Sequence, residues 1–135
     1  MQRNAIILEK NLTAGEVGNV AGILMGQIAQ INPEVYLDSE VTDADGVRHA
    51  AIRYSTVVLK AGSGQIANLA KSLKESETIS SCVFTATGQS LNNQFEVYQE
   101  QIQKSELENL KPVGIVVSGQ DEEVRAVTKK FSLLK

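Results

Sequence analysis

Residues 4–31 set a short apolar strand directly ahead of a long helix, and few folds accommodate that junction. Asn4-Ala-Ile-Ile-Leu-Glu9 is apolar without alternation at its centre, the pattern of a strand covered on both faces of a sheet. Asn11-Leu-Thr-Ala-Gly15 makes the turn. Thr13 is placed to cap a helix through its hydroxyl, and Glu16 stands at the spacing of a capping box. Val17, Val20, Ala21, Leu24, Ile28 and Ile31 recur at helical spacing and form the apolar face. Gly18, Gly22 and Gly26 share a second stripe, along which a strand or another helix can approach the backbone closely. Asn32-Pro33 ends the helix, because the residue before proline is pushed out of helical geometry.

The remaining chain alternates strand and helix. Asp38 to His49 is polar and centred on Asp45-Gly46, a turn signal that predicts an excursion hairpin. Ser55 to Lys60 reads as the next strand, and Ala61-Gly-Ser-Gly64 turns into a helix carrying Ile66, Ala67, Leu69, Ala70 and Leu73. Ile79 to Phe84 is a third strand, with Cys82, Val83 and Phe84 expected inside. Asn92 to Lys104 is a third helix with Phe95, Tyr98 and Ile102 on one face. Pro112 to Val117 is the last central strand, and Asp121 is placed to cap a short helix bearing Val124 and Val127. Phe131-Ser-Leu-Leu134 closes the chain as an apolar tail or an edge strand. Such alternation predicts one α/β domain over residues 1–135, a three-layer α/β/α sandwich.

Composition narrows the function classes. A chain of 135 residues buries a core without staples, and a net charge of −3 argues against nonspecific nucleic-acid binding. The single cysteine, Cys82, forms no internal disulfide, and no secretion signal is evident, so a cytoplasmic location is expected. The apolar run Ala14 to Ile31 contains Glu16, Asn19, Gln27 and Gln30, which is too polar for a membrane span. No phosphate-loop, nucleophile-elbow or dinucleotide signature is present, and one Cys with one His does not supply a zinc set, so neither cofactor nor metal is expected.

Four places carry candidate chemistry. The first-turn amides after the first strand favour an anion, with Asn11, Thr13 and Gly15 lining the position; a capping box would instead satisfy them internally. His49, the only histidine, lies near Asp43 and Asp45 and is the first choice for acid–base work, or for a hydrogen bond that holds the hairpin against the body of the domain. Thr85-Ala-Thr-Gly-Gln-Ser90 is rich in hydroxyls, so Thr85 and Thr87 either bind a polar ligand or cap a helix. Cys82 in an apolar strand behaves as a small hydrophobe. The glycine stripe lies beside the apolar face, and together they cover more than one side of the first helix. The stripe either packs the helix on its own sheet or lets two copies cross helix against helix, and the excess favours a homodimer over a monomer.

The strand, the Asn-Leu-x-x-Gly turn, Val41-Thr-Asp-Ala-Asp-Gly-Val-Arg-His49, Val57-Val-Leu-Lys60, Pro112-Val-Gly-Ile-Val-Val117 and Ala126-Val-Thr-Lys-Lys-Phe-Ser-Leu-Leu134 together resemble an uncharacterised bacterial group, domain-of-unknown-function family 2000. That group is similar in fold to the type II peptidyl-tRNA hydrolases. The resemblance implies a mixed four-stranded sheet between helices, including one antiparallel strand. Laid on this sequence, the hydrolases' aspartate falls on Asn11, their lysines on Glu16 and Gly18, and their later acidic position around Thr85 to Thr87, while Leu12 and Gly15 match. Glu16 reverses charge where a polyanion would sit. The reading that follows is a non-catalytic small-ligand-binding or accessory protein that takes a small molecule or an anion at Asn11, Thr13, Gly15, His49, Thr85 and Thr87. The alternatives are a hydrolase-type enzyme using His49 with Asp43 or Asp45, and a protein that contacts tRNA or RNA.

Overall fold

The computed structural model describes all residues, 1–135. Strand β1 (Gln2–Glu9) leads into α1 (Ala14–Ile31), a 3-10 turn at Pro33–Val35, and the small hairpin β2 (Val41–Thr42) and β3 (Arg48–His49). Then come β4 (Ser55–Ala61), α2 (Ser63–Leu73), β5 (Ser80–Thr85), α3 (Ala86–Ser90), α4 (Phe95–Lys104) and α5 (Leu107–Leu110). The chain ends with β6 (Pro112–Gln120), α6 (Asp121–Thr128) and β7 (Ser132–Leu133). Gly46 supplies the positive φ of 82° that the excursion hairpin requires.

The main sheet has the order β5-β6-β1-β4-β7. β1 and β4 are parallel, whereas β6 runs antiparallel to both of its neighbours, β1 and β5. It has five strands rather than the expected four. The apolar tail supplies the fifth, since Leu133 and Ser132 pair with Leu59 and Lys60 at the β4 edge. Two further details differ from expectation. Asp121 opens α6 rather than capping it, the cap position being Gln120, and the hydroxyl-rich segment after β5 winds into α3.

Alternation along the strands divides the core. Ala5, Ile7, Ile115 and Val117 face α2 and α6, where they meet Ile66, Leu69 and Val124. Ile6, Leu8 and Val116 face α1, where they meet Val20, Leu24 and Ile28. Helices thus cover both faces of the sheet. No helix is long and apolar enough to cross a membrane.

The glycine stripe does not pack on this sheet. A Cβ added at Gly18, Gly22 or Gly26 would meet nothing within 4 Å, so the stripe faces open solvent. The close approach of α1 is made from the other side, by Gly114 of β6, whose missing side chain leaves room for Val20, Leu24 and Leu8. The helix therefore bears the backbone cost of glycine without gaining intramolecular contact. Gly22→Ala is expected to stabilise the isolated chain by about 0.5–1 kcal/mol, read as a higher urea midpoint. A lower midpoint would mean that something covers this face.

Candidate functional site

The N-terminus of α1 is closed by its own residues. The Glu16 amide donates to Thr13 Oγ1 at 3.3 Å, and the Thr13 amide and hydroxyl both donate to Glu16 Oε1, at 3.0 and 3.1 Å. The capping box is complete, and its carboxylate occupies the positive end of the helix. Asn11 is tied in the same inward way, its backbone and side-chain amides donating to the Glu9 carboxylate at 2.8 and 3.1 Å. Gly15 is exposed, with open space where a Cβ would stand.

His49 lies on the exposed hairpin, and its Nε2 is 2.7 Å from Asp43 Oδ2. The amides of Asp45 and Val47 donate to the other oxygen of Asp43 at 2.9 and 3.0 Å. Asp43 therefore organises the turn, and the imidazole completes its shell. The His49 bond first, and the Val47 amide next, hold the Asp43 carboxyl below its ordinary value. A carboxyl depressed in the folded state stabilises the hairpin above the ordinary aspartate range and loses that contribution as the pH falls through the depressed value. The Asp43 carboxyl carbon is expected to titrate below an ordinary aspartate by NMR, and to move back toward the ordinary range in His49→Ala.

Thr85 is buried at the cap of α3, where its hydroxyl accepts the Gly88 amide at 3.1 Å. The Thr87 hydroxyl donates to the Leu110 carbonyl at 3.3 Å, tying α3 to α5. No hydrogen bond joins the α1 terminus, the hairpin histidine and the α3 threonines to one another; each group is satisfied within its own locality.

A different concavity lies between α1, β5, α3 and α4. It has a volume of about 340 Å³, with Ile23 and Leu24 on one wall, Phe84 on the floor and Tyr98 opposite. Its polar lining groups are the uncharged amides of Gln27, Asn92 and Asn93 with the Tyr98 phenol and the Cys82 thiol, and no Lys, Arg, Asp, Glu or His lines it. Gly88 makes the floor possible, since a Cβ there would stand 2.6 Å from Phe84 Cε1 and 3.1 Å from Tyr98 Cε1. The apolar face expected for α4 is present but only partly covered: Tyr98 and Ile102 are half-buried, no residue of α4 is fully buried, and Phe95 is 70% exposed at the rim. Cys82 also borders the cleft, half-buried rather than buried, and burial pushes its thiol up to about 11. The sequence signal for this cleft was the Phe95, Tyr98, Ile102 spacing, which reads as a core-facing stripe.

The profile of the family described as "Protein of unknown function (DUF2000)" matches residues 2–135. The chain belongs to the DUF2000 family. Among solved structures it is similar to the protein of unknown function Atu0240 from Agrobacterium tumefaciens str. C58, with a TM-score of 0.83 at 16% identity. That match covers 98% of this DUF2000 chain and 96% of the other, and at such identity it establishes a shared fold alone. No curated protein matches the sequence.

Proposed function

We propose that this DUF2000 protein binds an uncharged, mainly apolar small molecule in the cleft between α1 and α4 without transforming it. The observation that carries this reading is a cleft of about 340 Å³ whose lining is mainly apolar, with a few neutral polar groups and no charged residue, beneath a helix with no buried residue. Its volume is within the range of small-molecule sites, and a few amides in an apolar wall are the usual means of orienting a ligand. A charged ligand would enter with no counter-charge to meet it. Binding would cover Phe95 and Tyr98, giving α4 the apolar partner its sequence pattern calls for. A thiol with a pKa of about 11 is overwhelmingly protonated at neutral pH, so Cys82 belongs to the wall rather than to a reaction.

Nile red, a neutral solvatochromic dye, tests the reading. Its fluorescence is expected to rise saturably with the wild-type protein, to fall in Phe95→Ala, and to fall further in Gln27→Glu, which puts a charge in the wall. Alkylation of Cys82 by iodoacetamide is expected to be slow at pH 7, to quicken about tenfold per pH unit as the thiolate forms, and to slow when dye is bound. Dye binding that is indifferent to both substitutions, or alkylation unaffected by dye, would sink the proposal.

The catalytic alternative rests on the 2.7 Å contact between His49 and Asp43. It requires turnover, for which peptidyl-tRNA is the first substrate to try given the hydrolase-like fold that the family resemblance implies, and turnover must disappear in His49→Ala. The homodimer belongs to this same reading: the open glycine face of α1, flanked by the exposed Ile23 and Ile31, is the surface for a second copy, and sedimentation velocity decides it. The proposal is thus a cytoplasmic, homodimeric small-ligand binder.

A further inference from the structure

A second cavity, of about 380 Å³, opens where β1 and β4 end, beside the first turn of α2 and the approach to β7. Lys10, Lys60 and Lys130 line it, from three separate segments, and no carboxylate does. None of the three takes part in an ion pair, although acidic residues outnumber basic ones in the chain, 16 to 13. Lys130 is steadied by the Phe131 ring, its ammonium 5.5 Å from the centroid, and Phe131 itself is buried in the core. Asn11, Gln65 and Ser132 complete the polar lining. The nearest acid in sequence, Glu9, is engaged by both amides of Asn11. Three lysines lining one cavity repel one another, and an anion placed among them turns that repulsion into attraction.

We infer that this lysine-lined cavity binds a small phosphate-bearing anion. A single carboxylate would leave most of the local charge uncompensated, whereas a phosphate monoester or diphosphate carries two or more charges and presents oxygens in several directions. Lysine suits that role as a mobile point charge without a fixed fork. The cavity is also larger than a lone phosphate needs, leaving space for an attached organic body beside Phe131 and Ala61. The neighbouring helix adds to the field. Its cap is Gly62, which has no side chain to receive the first-turn amides, while Gln65 Oε1 accepts only the Gly62 amide at 2.9 Å. The contrast with α1, whose cap is closed by Thr13 and Glu16, places the anion at the second strand–helix junction rather than the first. Position also agrees, since ligands of open α/β sheets collect beyond the carboxyl ends of strands.

Inorganic pyrophosphate is the probe, titrated into uniformly labelled full-length protein at constant ionic strength, with sodium acetate and a twelve-nucleotide oligouridylate as comparisons. Saturable amide shifts are expected at Lys10, Asn11 and Gly62 to Gln65, absent with acetate. Lys60→Gln and Lys130→Gln should each weaken the affinity by about tenfold, the weight of one charge-assisted hydrogen bond, with the rest of the spectrum unchanged because all three lysines are exposed. Nonsaturating shifts, equal shifts with acetate, or indifference to both substitutions would overturn the inference. So would oligouridylate binding more tightly than pyrophosphate at the same residues, which would make the surface a nucleic-acid contact instead. Nile red binding at the α4 cleft is independent of either result.

Discussion

Gly114→Ala is expected to lower stability by about 2–3 kcal/mol and the midpoint of thermal unfolding by about 10 °C. The added Cβ would stand 2.8 Å from Val20 Cγ1, 2.9 Å from Leu24 Cδ1 and 3.0 Å from Leu8 Cδ2. Val20, Leu24 and Leu8 are fully buried, so none has solvent to retreat into. Relief requires α1 to lift off the sheet, which thins contacts along the whole helix. Set beside Gly22→Ala, the same chemical change is expected to act with opposite sign in two elements that touch. A Gly114→Ala midpoint within a degree or two of wild type would mean that α1 is not seated on β6 as described.

Asn4→Ala is expected to cost about 3 kcal/mol, read as a reduced urea midpoint with an unchanged slope. Asn4 is 1% exposed, and its side chain joins three adjacent strands. Its Nδ2 donates to Thr56 Oγ1 at 3.2 Å on β4, and its Oδ1 accepts the Ser118 hydroxyl at 2.7 Å from β6. The register places Asn4 opposite both of these residues. Truncation opens a void and leaves the Ser118 hydroxyl, 2% exposed, without its acceptor. Ser118→Ala leaves Asn4 Oδ1 without its donor but keeps the bond to Thr56 and opens a smaller void, and should cost about 1–2 kcal/mol. Equal effects of the two substitutions would show that Asn4 does not bridge the strands.

Local chemistry was legible in the sequence; partnership across the fold was not. Asp45-Gly46 announced its hairpin because a positive φ is written into the residue type. Thr13 and Glu16 announced their capping box because all its atoms lie within one turn. The apolar centre of β6 announced a buried strand, yet nothing in Pro112 to Gln120 states that it runs antiparallel between β1 and β5; only the family resemblance implied an antiparallel strand. The stripe of Gly18, Gly22 and Gly26 signalled close approach, but a missing side chain is equally consistent with empty space, and the position that matters for α1 is Gly114, about ninety residues away in sequence. The candidate sites followed the same rule. Asn11, Thr13, His49, Thr85 and Thr87 were visible as polar residues at turns, and their observed partners are local or lie on a neighbouring short element. The α4 cleft and the lysine-lined cavity are each assembled from segments distant in sequence. Lys10, Lys60 and Lys130 read singly as solvated charges, and their convergence exists only after folding.

The position of β6 also governs the order in which this molecule can be assembled. Residues 112–120 form an interior strand of the sheet, yet they are synthesised after both of the strands they join. Until they emerge from the ribosome, β1 and β5 flank a vacant slot, each with a row of unpaired backbone groups turned toward it. The contacts that close the slot span more than a hundred residues for β1, so folding waits on a long loop closure and proceeds slowly for a chain of this size. A nascent chain that stops before residue 112 leaves that slot open to the β6 of another copy, so a chain truncated there is expected to associate rather than to fold.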